Sequence, residues 1–151
     1  MNKKFEDVIA EQGRLIYTNV GDSMEPVIRE GNLLIIEAVK KPLKVGDVPL
    51  YKRDSGQYVL HRIVKIKRGE YTMKGDNRTA LEKGITDRHI IGVLTGIVRN
   101  GKTYPVETAQ EYLARESGLA PAQPKGIKAK LKKIISCKKG DKHERNKLKN
   151  T

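Results

Sequence analysis

A chain of 151 residues with 37% hydrophobic residues, one Phe and no Trp has room for one domain around a modest aliphatic core, and is short for two. Its net charge of +13 is concentrated at the end, where residues 125–151 hold 11 Lys+Arg against 2 Asp+Glu, so the basic balance says little about what the core does. The single cysteine, Cys137, excludes an intramolecular disulfide. The first residues carry acids where a secretory signal needs an apolar core, and "LLII" and "IIGVL" fall far short of the roughly 20 residues that span a bilayer. The expectation is a chain without signal peptide or transmembrane helix, cytoplasmic or peripheral on a membrane.

In chain order, Phe5, Val8 and Ile9 recur at helical spacing and Gly13 follows as a stop, which predicts a short helix within residues 1–13. Strand-like runs come next: "RLIYTNV", "NLLIIEAV", "DVPLYKR", "QYVLHRIVKI", "EYTMKGD" and "HIIGVLTGIVRN", separated by Gly- and Asp-rich turns. Six short strands at this spacing predict a mainly β domain over residues 14–106. Pro49 marks its own run as an edge strand or a bulge.

Thr108 and Glu111 form a T-x-x-E capping box, predicting a helix within residues 107–117. Residues 118–126 read as a Pro- and Gly-broken linker. In residues 127–151, Ile127, Leu131, Ile134 and Ile135 share one face among lysines, giving a basic amphipathic helix followed by a polar, disordered tail.

Three residues could carry chemistry. Ser23 lies in "GDSMEP", in a turn between two apolar stretches; most serines in turns only bond their own backbone. His61 interrupts the apolar and basic run "YVLHRIVKI", where a lone His is usually structural. Asp76 follows Gly in "KGDN" at a strand end, where an ordinary turn would also place it. His89, in "TDRHIIG", reads as a surface residue.

Taken in order, "GDSMEPVIREGNLLII", "VGDVPLYKR", "YVLHRIVKI", "YTMKGDN" and "IIGVL" resemble the catalytic domain of the type I signal peptidase superfamily, which includes the self-cleaving peptidase domains of SOS-response repressors. The resemblance covers about residues 16 to 98. It implies a signal-peptidase-like β domain of coiled antiparallel sheets, with a short helix before it and helices after it. At the base position, housekeeping signal peptidases and SOS repressors carry Lys. His61 instead matches the branch of the endoplasmic-reticulum, archaeal and sporulation-type signal peptidases. Asp76 matches that branch's acid. A second acid is expected six residues later, where this chain has Glu82 in place of Asp. Asn32 replaces the usual acid in "EGNLLII", at a position expected to be structural.

The implied chemistry is that of a serine endopeptidase. A serine hydroxyl needs a base to take its proton as it attacks, and an imidazole suits that role. A carboxylate on the other ring nitrogen fixes the tautomer and stabilises the imidazolium. Ser23, His61 and Asp76 supply the three groups. The oxyanion donors would be backbone N–H groups at Ser23 and Gly21, since Gly21 stands where some relatives carry a second hydroxyl. Gly21 permits a tight turn and Pro26 stiffens its exit.

The substrate class is an extended precursor or signal peptide, and neither metal nor cofactor is expected. Residues 126–137 could hold the protein on an anionic membrane surface. The alternative is a catalytically weak peptide-binding module with a basic membrane- or nucleic-acid-binding tail. Nucleic-acid binding is disfavoured, because no aromatic residues interleave the tail lysines and no helix-turn-helix precedes the β domain.

Overall fold

The computed structural model describes residues 3–118. Helix α1 (Phe5–Gln12) ends at Gly13, whose left-handed backbone (φ 76°) closes the last turn. Nine strands follow: β1 (Arg14–Thr18), β2 (Leu33–Glu37), β3 (Pro49–Lys52), β4 (Tyr58–Leu60), β5 (Arg62–Lys67), β6 (Glu70–Lys74), β7 (Glu82–Ile85), β8 (Ile90–Arg99) and β9 (Lys102–Pro105). Helix α2 (Ala109–Glu116) comes last, and its capping box is formed as the sequence predicts: Glu111 N–H donates to Thr108 Oγ1 and the Thr108 N–H to the Glu111 carboxylate. The linker and basic helix expected beyond residue 118, and Cys137, lie outside the described residues.

The fold is mainly β, in two antiparallel sheets. The larger runs in the order β1-β2-β8-β3-β4, with β9 also on β8; the smaller is β5-β6-β7. The buried apolar residues form two clusters, and the larger sheet contributes to both. Ile9, Leu34, Ile36, Leu50, Leu60 and Leu94 belong to one, and Tyr51, Val59, Ile63, Tyr71, Met73 and Ile85 to the other. Period-two alternation explains the sharing: Leu50 and Tyr51 on β3, like Leu60 and Val59 on β4, send side chains to opposite faces. Helix α1 lies close to β8 where Gly92 leaves space. A Cβ there would come within 2.9 Å of Ile9 Cδ1 and 2.8 Å of the Glu37 carbonyl oxygen.

Two expectations change and one alternative is decided. The run 57–66 is two strands, because the chain passes at His61 from the larger sheet to the smaller. Strands β7 and β9 add to the six read from the sequence. Of the two alternatives at Pro49, the edge strand falls away because β3 lies between β4 and β8, and the bulge fits: Pro49 is the first residue of β3, one step before a register shift at Leu50/Tyr51.

Candidate active site

The loop from β1 to β2 carries Ser23. Asn19 ties its two ends together: its N–H donates to the Asn32 carbonyl at 2.8 Å, and its side-chain amide donates to the Arg29 carbonyl at 3.1 Å. Gly21 has φ 94°, in the left-handed region where a side chain is strained. Met24 is 2% exposed and belongs to the first core. The Ser-Met pair thus has a division of labour, with Met24 anchoring the turn and Ser23 held beside it, half-buried. Asn32 is structural, accepting from the Arg29 N–H and from the Arg99 guanidinium.

The loop after β6 docks against this turn. Asn77 N–H donates to the Ser23 carbonyl at 2.9 Å, the Asn77 amide to the Asp22 carbonyl at 3.1 Å, and Asp76 N–H to Met24 Sδ at 3.4 Å. Gly75 sits at the closest approach. A Cβ on it would lie 2.7 Å from the Ser23 carbonyl oxygen and 3.2 Å from His61 Nε2. Serine turn and histidine ring therefore meet across one residue that has no side chain. Among the described residues, Ser23 Oγ and the N–H groups of Ser23 and Gly21 have no hydrogen-bond partner. Catalytic hydrogen bonds are often unformed before substrate binds.

His61 occupies the break between β4 and β5. Burial pushes its pKa below the ordinary 6.5, helped by the positive charges of Arg53 and Arg78 and opposed by Glu82 and Asp76. Its Nδ1 lies 3.5 Å from the Tyr51 hydroxyl, which donates to Glu82 Oε1 at 2.6 Å. Arg53 grips the same carboxylate through Nε (2.8 Å) and Nη2 (3.0 Å). Burial alone would raise the Glu82 pKa, but the hydrogen bonds from Arg53 and Tyr51 prevail and hold it below its usual value. Glu82 is therefore an ionised acceptor.

Asp76 faces elsewhere. Its carboxylate takes a two-pronged hydrogen bond from Arg62, Nε to Oδ1 at 2.8 Å and Nη2 to Oδ2 at 2.7 Å. Both side chains are buried, at 0% and 2% exposure. Arg62 also pairs with Glu107 at 2.8 Å, and Arg115 of α2 reaches Glu107 at 2.9 Å and Asp76 at 3.4 Å. Among the described residues no hydrogen bond joins Asp76 to His61; the acid acts on the ring only through its charge. The fold thus brings Ser23, His61 and the Asp76 backbone into one locus, and links Glu82 to the ring through Tyr51.

Sequence reasoning passes over Gly75, Tyr51, Arg53 and Arg62. Only Arg62 carries a signal that could have been read: an arginine inside an apolar strand must find a buried acid. His89 is corrected from surface to interior. It is 5% exposed, its Nδ1 accepts the Thr86 N–H at 3.0 Å, and its Nε2 lies 3.1 Å from Asp54 Oδ1.

The two antiparallel sheets join at His61, with the Ser23 turn close by, and a family match supports a serine-peptidase-like fold. A family model described as Peptidase S24-like matches residues 4–95, and the chain belongs to that family, within the superfamily that joins SOS-repressor peptidases and type I signal peptidases. The match takes in α1, whose Ile9 is part of the first core. No curated protein matches the chain. Among the described residues no helix is long and apolar enough to cross a membrane.

Proposed function

We propose that this protein is a serine endopeptidase of the Ser-His type that cleaves an extended precursor or signal peptide. The observation that carries the reading is the close approach of Gly75 to both groups: a Cβ there would lie 2.7 Å from the Ser23 carbonyl oxygen and 3.2 Å from His61 Nε2. In this reading Ser23 is the nucleophile and His61 the general base, with the Ser23 and Gly21 N–H groups facing the developing oxyanion. Attack by Ser23 Oγ on the scissile carbonyl passes its proton to Nε2. The imidazolium then returns that proton to the leaving amine, and water releases the acyl group by the same relay.

The peptide would add as a strand along β4, the last strand of the larger sheet, which leads into His61. The His at the base position favours the branch of the endoplasmic-reticulum, archaeal and sporulation-type signal peptidases. Asp76 serves in this reading as the anchor of its loop, and Glu82 as the acid behind the base. Residues 126–137 serve as a contact to anionic membrane surface.

The test is labelling by a fluorophosphonate probe. Label is expected on the full chain, absent from Ser23→Ala and at least tenfold slower in His61→Ala. Undiminished labelling of Ser23→Ala removes the nucleophile. Absence of label on the native chain, with the fold intact, favours a peptide-binding module.

A further inference from the structure

We infer that Tyr51 is a positioning residue that sets the tautomer of His61, relaying the charge of an Arg53-clamped Glu82 to the imidazole in place of a directly bonded acid. The inference rests on the reading of His61 as general base, and its geometry can be tested without turnover.

A phenol has one proton. Tyr51 gives it to Glu82 Oε1 at 2.6 Å, and Glu82 is ionised and can only accept. The Tyr51 oxygen, 3.5 Å from His61 Nδ1, can therefore meet that nitrogen only as an acceptor. This favours the proton on Nδ1 and leaves the lone pair on Nε2. That is the nitrogen beside Gly75 and the Ser23 turn. The opposite tautomer would set two lone pairs against each other at Tyr51 and turn an N–H toward the serine, which disables the base.

The supports of the relay are fixed on three sides. Tyr51 is fully buried in the second core, next to the register shift of β3. Arg53, just past the end of β3, holds both oxygens of Glu82 on β7. Loss of the Tyr51 proton is suppressed by burial and by the negative charge of Glu82, so the phenol stays neutral. The charged groups acting on the ring are Arg53, Glu82, Arg78 and Asp76; Asp76 is committed to Arg62, so Glu82 is the acid that reaches the ring through hydrogen bonds.

The experiment is ¹⁵N NMR of the His61 ring in the full chain, above the pH at which the ring is protonated. The native protein is expected to show a protonated Nδ1 and an unprotonated Nε2. In Tyr51→Phe the ring should shift toward the Nε2–H form or a mixture. In Glu82→Gln, which keeps an acceptor for the phenol, it should shift less. Fluorophosphonate labelling should slow about 10- to 100-fold in Tyr51→Phe, less than the roughly 10²–10⁴-fold that a general base contributes in full.

An Nε2–H tautomer in the native protein, or an unchanged tautomer in Tyr51→Phe, overturns the relay. If Tyr51→Phe does not fold, the native tautomer and the Glu82→Gln shift decide. Persistent labelling of Ser23→Ala would remove the nucleophile and leave the tautomer result standing, so the two readings fail separately.

Discussion

His61, the proposed base, must be neutral to take a proton, and its surroundings favour that form by lowering its pKa. Burial is the main cause, with Arg53 and Arg78 adding to it. The working form is deprotonated, so kcat/KM for peptide cleavage should rise with pH and reach its plateau early, with a midpoint below the ordinary value of 6.5. The stability sign is the same. The unfolded chain takes up the proton first as pH falls, so the contribution of His61 is present above about 6.5 and is lost as pH drops through the lowered folded value. A pH–rate profile centred above about 8.5 would assign the base to a lysine instead. At this scale the sequence was partly legible. Ser23 and His61 are weak signals singly and could be singled out because their motifs, taken in order, resemble those of the signal peptidase superfamily. Tyr51 could not, because a tyrosine in "VPLYKR" fits an ordinary strand, and its hydroxyl acquires a role only when β7, 31 residues later, brings Glu82 to it.

Among the elements, the decisive event is the crossing at His61. Residues 57–66 read as one strand because local alternation carries no mark of a change of partner. The change is imposed by β3, which pairs with β4 on one side, and by β6, which takes β5 into the smaller sheet. Strands β7 ("EKGI") and β9 ("KTYP") have too few apolar residues to declare themselves and are recruited by β6 and β8. The crossing is secured by the buried Arg62–Asp76 pair, over which Glu107, Arg115 and the Tyr112 ring of α2 close. Removing one member of a buried pair leaves the other charge uncompensated. Arg62→Met should therefore cost about 3–5 kcal/mol of unfolding free energy. The double variant Arg62→Met, Asp76→Leu should recover part of that, since an apolar pair of similar volume avoids the desolvation penalty. Urea denaturation measures both. A cost below about 1 kcal/mol for the single variant would show that Arg115 alone satisfies Asp76, and that the pair does not hold the crossing.

Across the whole molecule, the charge is divided. Residues 1–124 carry 20 Lys+Arg against 16 Asp+Glu, while residues 125–151 carry 11 against 2. A peptidase domain of this kind needs no strong field to bind an extended peptide, whereas a lysine-rich segment with Ile127, Leu131, Ile134 and Ile135 on a helical spacing is suited to an anionic interface. The full chain is expected to co-sediment with vesicles containing anionic lipid and to stay in solution with neutral ones. Binding should weaken as salt rises and the Debye length shrinks toward about 8 Å. A chain truncated after Gln123 should lose it. Charge alone would produce the same salt dependence on any polyanion, so the apolar residues supply the discriminating measurement. Leu131→Asp with Ile135→Asp should weaken vesicle binding much more than binding to heparin, because only the lipid interface takes up apolar side chains. Equal loss on both would make the tail a general polyanion contact. Equal sedimentation of the truncated and full chains would place membrane association, if any, in the β domain.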